Sequence, residues 1–340
     1  MKVLFIGGTG TISSAISIQI QELGWELFLL NRGNSNSELA GRFTEIICDI
    51  RSADEAEIKS KIKSALAGSG KRFDVVADFI AYTADHVERD YRIFEGLCDQ
   101  FIFIGSASAY QKPPASHLIT ESTPLANPFW KYSRDKISCE DFLTAKYREN
   151  GFPVTIVRPS HTYGERSVPL GVHGKNGSWQ VLKRMLEGKP VIIHGDGTSL
   201  WVMTHNSDFA RAFIGLMGNI HAIGETVHIT SDEILNWNQI YKAISNSLGV
   251  ELKTVHVPSD FLAESGPYDF SGSLLGDKAN SVVFDNSKLK RLVPGFCAYV
   301  RFDRGIRETV AYILRIRIVK RKIPIRLLVR QGHFRLGESV

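Results

Sequence analysis

Apolar positions along the chain recur in two alternating periods. Lys2-Val3-Leu4-Phe5-Ile6 is a short run of the kind that forms a strand buried on both faces. Behind a glycine-rich turn, Ile12, Ile16, Ile20 and Leu23 recur at helical spacing, and Gly24 stands where a helix ends. Glu26–Leu30 and Phe43–Ile47 then read as strands, and Ser52-Ala53-Asp54-Glu55 as a capping box opening a helix with Ile58, Ile62 and Leu66 on one face. Asp74–Ala77 is a fourth strand, Val87, Tyr91, Phe94 and Leu97 mark a helix, and Phe101–Ile104 is a fifth strand. Val154–Val157 is a sixth, after another helix. Units of this length predict an α/β fold, a doubly wound parallel sheet with helices on both faces. Ligands of such sheets bind outside the carboxyl ends of the strands, where Gly7, Asn31, Asp49, Ala81 and Ser106 would line one crevice.

The turn after the first strand, Gly7-Gly8-Thr9-Gly10, has the strand–turn–helix context that a phosphate-binding loop needs. Gly7 allows the tight turn, Gly10 lets backbone approach a pyrophosphate, and the helix N-terminus offers the positive end of a dipole. Ser13 holds the third position of the pattern, where a small residue serves helix–strand packing. A bare glycine turn without a ligand is the alternative.

Further on, Asn127-Pro128 is a good helix start. A helix from there puts Tyr132 and Lys136 on one face. A free tyrosine titrates near pH 10, and an adjacent ammonium pulls that value down toward the working range of a general base. A surface Tyr and Lys on a charged helix would show the same spacing.

Together these segments make the chain resemble an extended short-chain dehydrogenase/reductase of the NAD-dependent epimerase/dehydratase family. The resemblance covers most of residues 1 to about 314. It rests on Gly7-x-x-Gly10, Cys48-Asp49-Ile50, Phe79-Ile80-Ala81-Tyr82, Gly105-Ser106-Ala107-Ser108-Ala109-Tyr110, Tyr132-x-x-x-Lys136 and Arg158-Pro159-Ser160-His161-Thr162-Tyr163-Gly164. It implies a Rossmann-type fold with a smaller C-terminal substrate lobe. It also implies Tyr132 as general acid/base, Lys136 on the nicotinamide ribose, and Ser106 on the reacting oxygen. Asp49 and Ile50 would contact adenine and Ala81 would pass under the dinucleotide. Thr9, Thr11, Ile12, Pro159 and Ser160 fall to the cofactor by the same resemblance, and Ser108 to the substrate.

Departures from the family bear on the substrate. Its dehydratases and decarboxylases carry an acidic residue just after the serine or threonine; Ala107 and Ser108 stand there, which argues against elimination and leaves oxidation–reduction or epimerisation. Members acting on nucleotide sugars usually have Asn at His161 and Arg within the segment Gly195 to His205. Trp201 in that segment offers no bidentate grip on a diphosphate, so a standard nucleotide-diphosphate sugar is not the expected substrate. Trp201 stacks on a substrate ring or belongs to the core; His161 contacts substrate or is structural. His173, Lys175, Lys183 and Arg184 are the replacements available for the missing Arg. At the end of the second strand, Asn31 and Arg32 stand where an acid would repel a 2′-phosphate, which favours NADP, with NAD the other option.

The expected organisation is a dinucleotide-binding domain over 1–160 with a return segment near 204–230, a substrate lobe of 161–203 and 231–314, and a basic tail of 315–340. Within the lobe, Ser178–Glu187 reads as a helix, Val191–Ile193 as a strand, and Ser207-Asp208 as the start of the returning helix. Asn236 caps a helix carrying Trp237, Ile240, Tyr241 and Ile244, and Pro258–Asn280 is a lid or a plain connection.

Residues 301–340 hold eleven Lys or Arg against three acids, a net of +8 in a chain of net +5. The tail reads as a helix extension whose aliphatics pack on the lobe while its arginines stay wet, stopped by Pro324. The alternatives are a membrane-surface patch, a homodimer contact or a site for an acidic partner. It lacks interleaved aromatics, which argues against nucleic acid. Cys48, Cys98, Cys139 and Cys297 are scattered without ligand spacing, so no metal is expected. Reduced thiols, a first strand that leaves no room for a signal peptide, and no long apolar run point to the cytoplasm. The expected function is hydride transfer between nicotinamide and a carbinol or carbonyl carbon of a sugar-like molecule. A non-catalytic nucleotide-sensing or RNA-binding protein on the same scaffold is the alternative, and such a protein has no need of Ser106, Tyr132 and Lys136 together.

Overall fold

A computed structural model describes residues 1–34, 39, 43–68, 70–174, 177–265 and 268–319 of the protein. Seven strands form one parallel sheet, in the order Thr226–Ile229, Val154–Pro159, Cys98–Ile104, Phe73–Asp78, Lys2–Ile6, Glu26–Asn31 and Thr44–Ile47. The first six strands in chain order fall where the apolar runs place them. Thr226–Ile229 joins the sheet edge behind the helix Asn206–Leu216, which packs on the first helix, Thr11–Glu22. The central strands are largely apolar because both faces are covered. Val3, Phe5 and Leu29 meet Ile16, Ile20, Phe209 and Phe213 on one side; Leu4, Ile6 and Phe28 meet Ile58, Ile62 and Val87 on the other. Each such side chain contributes about 1.5–3 kcal/mol. Strand order reverses between Lys2–Ile6 and Phe73–Asp78, which opens a crevice at their carboxyl ends.

A smaller lobe collects short two- and three-stranded sheets and the helices Trp179–Leu186, Trp237–Ser247 and Phe302–Val319 around Trp201, Trp237, Ile240, Ile306 and Val310. Asn236 caps its helix as expected, in a reciprocal pair with Gln239. In Phe302–Val319 the aliphatics Ile306, Val310, Ile313 and Leu314 are buried, while the Arg317 guanidinium lies 5.0 Å from the Trp179 ring centre. The tail from Lys320 onward, Pro324 included, lies outside the described residues.

Three helix boundaries differ from the sequence reading. Asp54, not Ser52, caps the second helix, accepting the Ala56 N–H at 2.7 Å. The third ends at Phe94, before Leu97. The Tyr132 helix spans Lys131–Asn150, starting later than Asn127-Pro128 suggests. Asn127 is engaged elsewhere: its Oδ1 accepts the Phe129 and Trp130 N–H groups in a turn, and its amide donates to the Ser108 and Gly276 carbonyls at 2.8 and 2.7 Å.

Candidate active site

A cleft of about 480 Å³ lies at the carboxyl ends of the first strands, floored by the glycine turn. Gly7 has φ +82°, and a Cβ there would strike Ile80. Ser13 does more than stay small. Its hydroxyl donates to the Gly7 carbonyl and accepts the Gly10 N–H, both at 2.9 Å, so it ties the turn to the helix. Thr9, Gly10, Thr11 and Ile12 continue this wall, while Asn31, Arg32, Asp49 and Ile50 line the far end. Asn31 Oδ1 accepts the Gly33 N–H at 2.8 Å, and Asp49 Oδ1 accepts that of Arg51 at 3.1 Å. Arg51, which sequence reasoning passed over, also lines this end; it donates to the Ile80 carbonyl at 2.9 Å and lies over the Tyr82 ring. Its position directly after Cys48-Asp49-Ile50 was the available signal.

Ala81 and Lys136 lie behind the cleft surface, 1% and 2% exposed. The Lys136 ammonium donates to the Ala81 and Ile104 carbonyls at 2.6 and 2.7 Å, and the Tyr82 and Phe103 rings cover it. Burial lowers its pKa to about 8. Asp78 fixes the loop above: its Oδ1 accepts the Ile80 and Ala81 N–H groups. Asp78 and Asp90 are fully buried, and each leaves Oδ2 without a donor. The two carboxyls face one another. Burial, then the Asp78 charge, pushes Asp90 well above the usual carboxylate range, against the pull of the Arg89 guanidinium that donates to its Oδ1 at 2.8 Å.

A second cavity of about 360 Å³ shares Ile12 and Thr162 with the first and is bordered by Ser106, Ser108, Tyr132, Pro159, Ser160 and His161. The Ser133 hydroxyl donates to Ser108 Oγ at 2.7 Å, and Ser108 Oγ lies 2.8 Å from Ser106 Oγ, forming a row of hydroxyls that ends beside Tyr132. Ser133, a member of this row, had no signal in the sequence beyond its place next to Tyr132.

The expected effect of Lys136 on Tyr132 is not seen. Burial pushes the Tyr132 phenol up to about 12, and only the Ser106 hydroxyl pulls the other way. The ammonium is turned to its two carbonyls, 5.9 Å from the centre of the Tyr132 ring. At neutral pH Tyr132 is therefore a phenol, not a phenolate.

Trp201 is 2% exposed and packs on Trp237, so it belongs chiefly to the lobe core and only borders the cavity. His161 Nδ1 accepts the Trp201 indole N–H at 3.3 Å, and burial drives the imidazole pKa down to about 3, leaving it neutral. Of the suggested replacements for the missing arginine, His173, Lys183 and Arg184 do not line the cavity. Lys183 faces Glu187, Arg184 donates to the Pro190 carbonyl, and His173 packs near Tyr268; Lys175 lies outside the described residues. Lys112, Asp277 and Lys278 line the cavity instead. The last two come from Pro258–Asn280, whose Ser271–Lys278 turn is a π-helix docked on the Tyr132 side of the cavity. A Cβ on Gly272 would run into the Trp130 ring, and one on Gly276 would sit 3.0 Å from Asn127 and Trp130. Nothing in the spacing of Lys112 and Asp277 signalled that they meet. Among the described residues, no cluster of His, Cys, Asp or Glu suits a metal ion, and no helix is long and apolar enough to cross a membrane.

A model of the NAD dependent epimerase/dehydratase family matches residues 3–230. The chain is 24% identical to 2′-dehydrokanamycin reductase of Streptomyces kanamyceticus over 87% of its own length and 80% of the relative's. It is 25% identical to the uncharacterized UDP-glucose epimerase YtcB of Bacillus subtilis, over 92% and 98%. The fold matches UDP-glucuronic acid 4-epimerase of Bacillus cereus, solved with UDP-glucuronic acid and NAD, at a TM-score of 0.72 and 20% identity, covering 93% and 100%. The family match spans the same strands and turns that build the cleft, and the chain is thereby a member of the NAD dependent epimerase/dehydratase family, a nicotinamide-dependent enzyme.

Proposed function

We propose that the protein is an oxidoreductase that moves a hydride between NADP(H) and a carbinol or carbonyl carbon of a sugar or sugar-like substrate, with Tyr132 handling the proton on oxygen. The observation that carries this is the Ser133–Ser108–Ser106 hydroxyl row ending at a protonated Tyr132, on the wall of a cavity that opens beside the glycine-turn cleft. Gly7 to Ile12 would hold the dinucleotide phosphates, and Asp49 and Ile50 the adenine. Bound there, the nicotinamide supplies or accepts the hydride. Arg32 and Arg51 at the adenine end favour a 2′-phosphate over a bare hydroxyl. With the phenol favoured over the phenolate, the cofactor-free site is poised for carbonyl reduction, Ser106 holding the carbonyl oxygen while Tyr132 gives its proton. Lys136, with two of its three donors on backbone carbonyls, holds the 79–82 loop and presents its charge beneath the ribose position.

A panel of keto-sugars, followed by loss of NADPH absorbance, tests this reading. Tyr132→Phe keeps the ring but removes the hydroxyl, and should lower turnover by about 10²–10⁴-fold, the worth of positioned acid–base catalysis, with NADPH affinity unchanged. Undiminished turnover by this variant contradicts the assignment.

A further inference from the structure

Two lysine side chains reach the substrate cavity without a partner. Lys112 is 3% exposed and borders the cavity, yet its ammonium makes no hydrogen bond and no ion pair among the described residues. Lys278, half-buried at the same cavity, likewise makes no side-chain hydrogen bond and no ion pair among the described residues, and the attractive charge nearest to both lysines there is the Asp277 carboxylate, beyond ion-pair distance. Burial lowers both lysines from their ordinary values, so an anion in the cavity beside them would stabilise their charged forms.

The wall is also firmly built. The Lys278 carbonyl accepts from His194 Nε2, Ser199 Oγ and Trp237 Nε1, which pins the end of the π-helix to the lobe core. On the other side, the Asn127 amide bridges the Gly276 and Ser108 carbonyls, Ser108 being the residue whose hydroxyl is the middle one of the row beside Tyr132. The backbone that carries Lys278 is thus pinned beside the Tyr132 wall. His161, the remaining titratable side chain at this wall besides Tyr132, is neutral. Two ammoniums against one carboxylate leave the wall with a single positive charge.

We propose that this wall is an anion subsite, and that the substrate carries a carboxylate, a single negative charge, gripped by Lys112 and Lys278 while Tyr132 serves a neighbouring carbinol or carbonyl carbon. This deepens the function proposed above and rests on its placement of the substrate cavity. Asp277 keeps the two ammoniums apart in purpose: it limits the wall to one net charge, which a carboxylate matches and a phosphate dianion exceeds.

Calorimetry on the NADP-loaded protein tests this with glucuronate, glucose, glucosamine and glucose 6-phosphate as probes. Glucuronate should bind at least tenfold more tightly than the other three. Lys112→Met and Lys278→Met should each erase that preference, and Asp277→Asn should strengthen glucuronate binding. Removing an unpartnered enclosed ammonium should leave the melting temperature of Lys112→Met at or above that of the parent, so lost binding would not reflect lost folding. Glucose, glucosamine or glucose 6-phosphate binding as well as glucuronate overturns the proposal, as does no saturable binding of glucuronate. Turnover of neutral keto-sugars without any acid preference removes the subsite and leaves the oxidoreductase reading standing. Acid binding that Lys112→Met abolishes, with no hydride transfer to any substrate, does the reverse.

Discussion

Tyr132 and Lys136 were legible as a pair from their spacing, but their electrostatic relation was not. A four-residue separation places two side chains on one face without fixing where the ammonium points. Here backbone carbonyls of Ala81 and Ile104 compete for it and win, and burial then moves the two groups in opposite senses, the phenol up to about 12 and the lysine down to about 8. Lys112, Asp277 and Lys278 had no pattern to betray them, because their meeting depends on how a π-helix docks. The buried Asp78–Asp90 pair was equally silent. It has a measurable signature: the folded state keeps a proton on Asp90 that the unfolded chain releases above about pH 4. The folded state binds more protons over that window, so this pair's contribution to stability is complete below about pH 4 and is lost as pH rises toward the folded value. Asp90→Asn, whose amide donates to Asp78 at every pH, should flatten that part of the stability profile in denaturant titrations. An unchanged slope would mean that Asp90 holds no such proton.

The strands were the most legible elements, since a run buried on both faces has to be apolar at nearly every position. Helix starts were less so. Capping residues can be used otherwise, and Asn127 is the clearest instance, its side chain joining two walls of the cavity instead of opening the helix. Pro258–Asn280 gave only composition, Gly and Ser with Tyr268 and Phe270, and that composition turns out to serve close docking. Gly272 lies so near the Trp130 ring that any Cβ must displace it. Gly272→Ala should therefore shift the π-helix away from the Tyr132 side, raise KM for the substrate by about tenfold, and leave NADPH affinity intact, because no residue of the π-helix lines the glycine-turn cleft. Steady-state kinetics at saturating NADPH checks this; equal damage to cofactor affinity would show that the two cavities are coupled through this element.

At the scale of the molecule, the doubly wound sheet fixes what the residues can do. Its strand order reverses beside Lys2–Ile6, and the glycine turn, the end lined by Asp49, Arg32 and Arg51, and the Tyr132 wall all gather at that reversal. This much was readable from strand–helix alternation, since topology follows from the order and length of the units. Of the two cations at the adenine end of the cleft, Arg32 was visible at the end of its strand, whereas Arg51 comes to the cleft through the loop after the third strand. The most direct test of the account is a fluorescence titration of the protein, and of Arg32→Asp, with NADPH and NADH. The parent should bind NADPH more tightly than NADH, and Arg32→Asp should lose NADPH affinity by tenfold or more while keeping NADH. Equal losses for both, or a parent that prefers NADH, would contradict the NADP assignment, and a parent that binds neither would contradict the cleft itself.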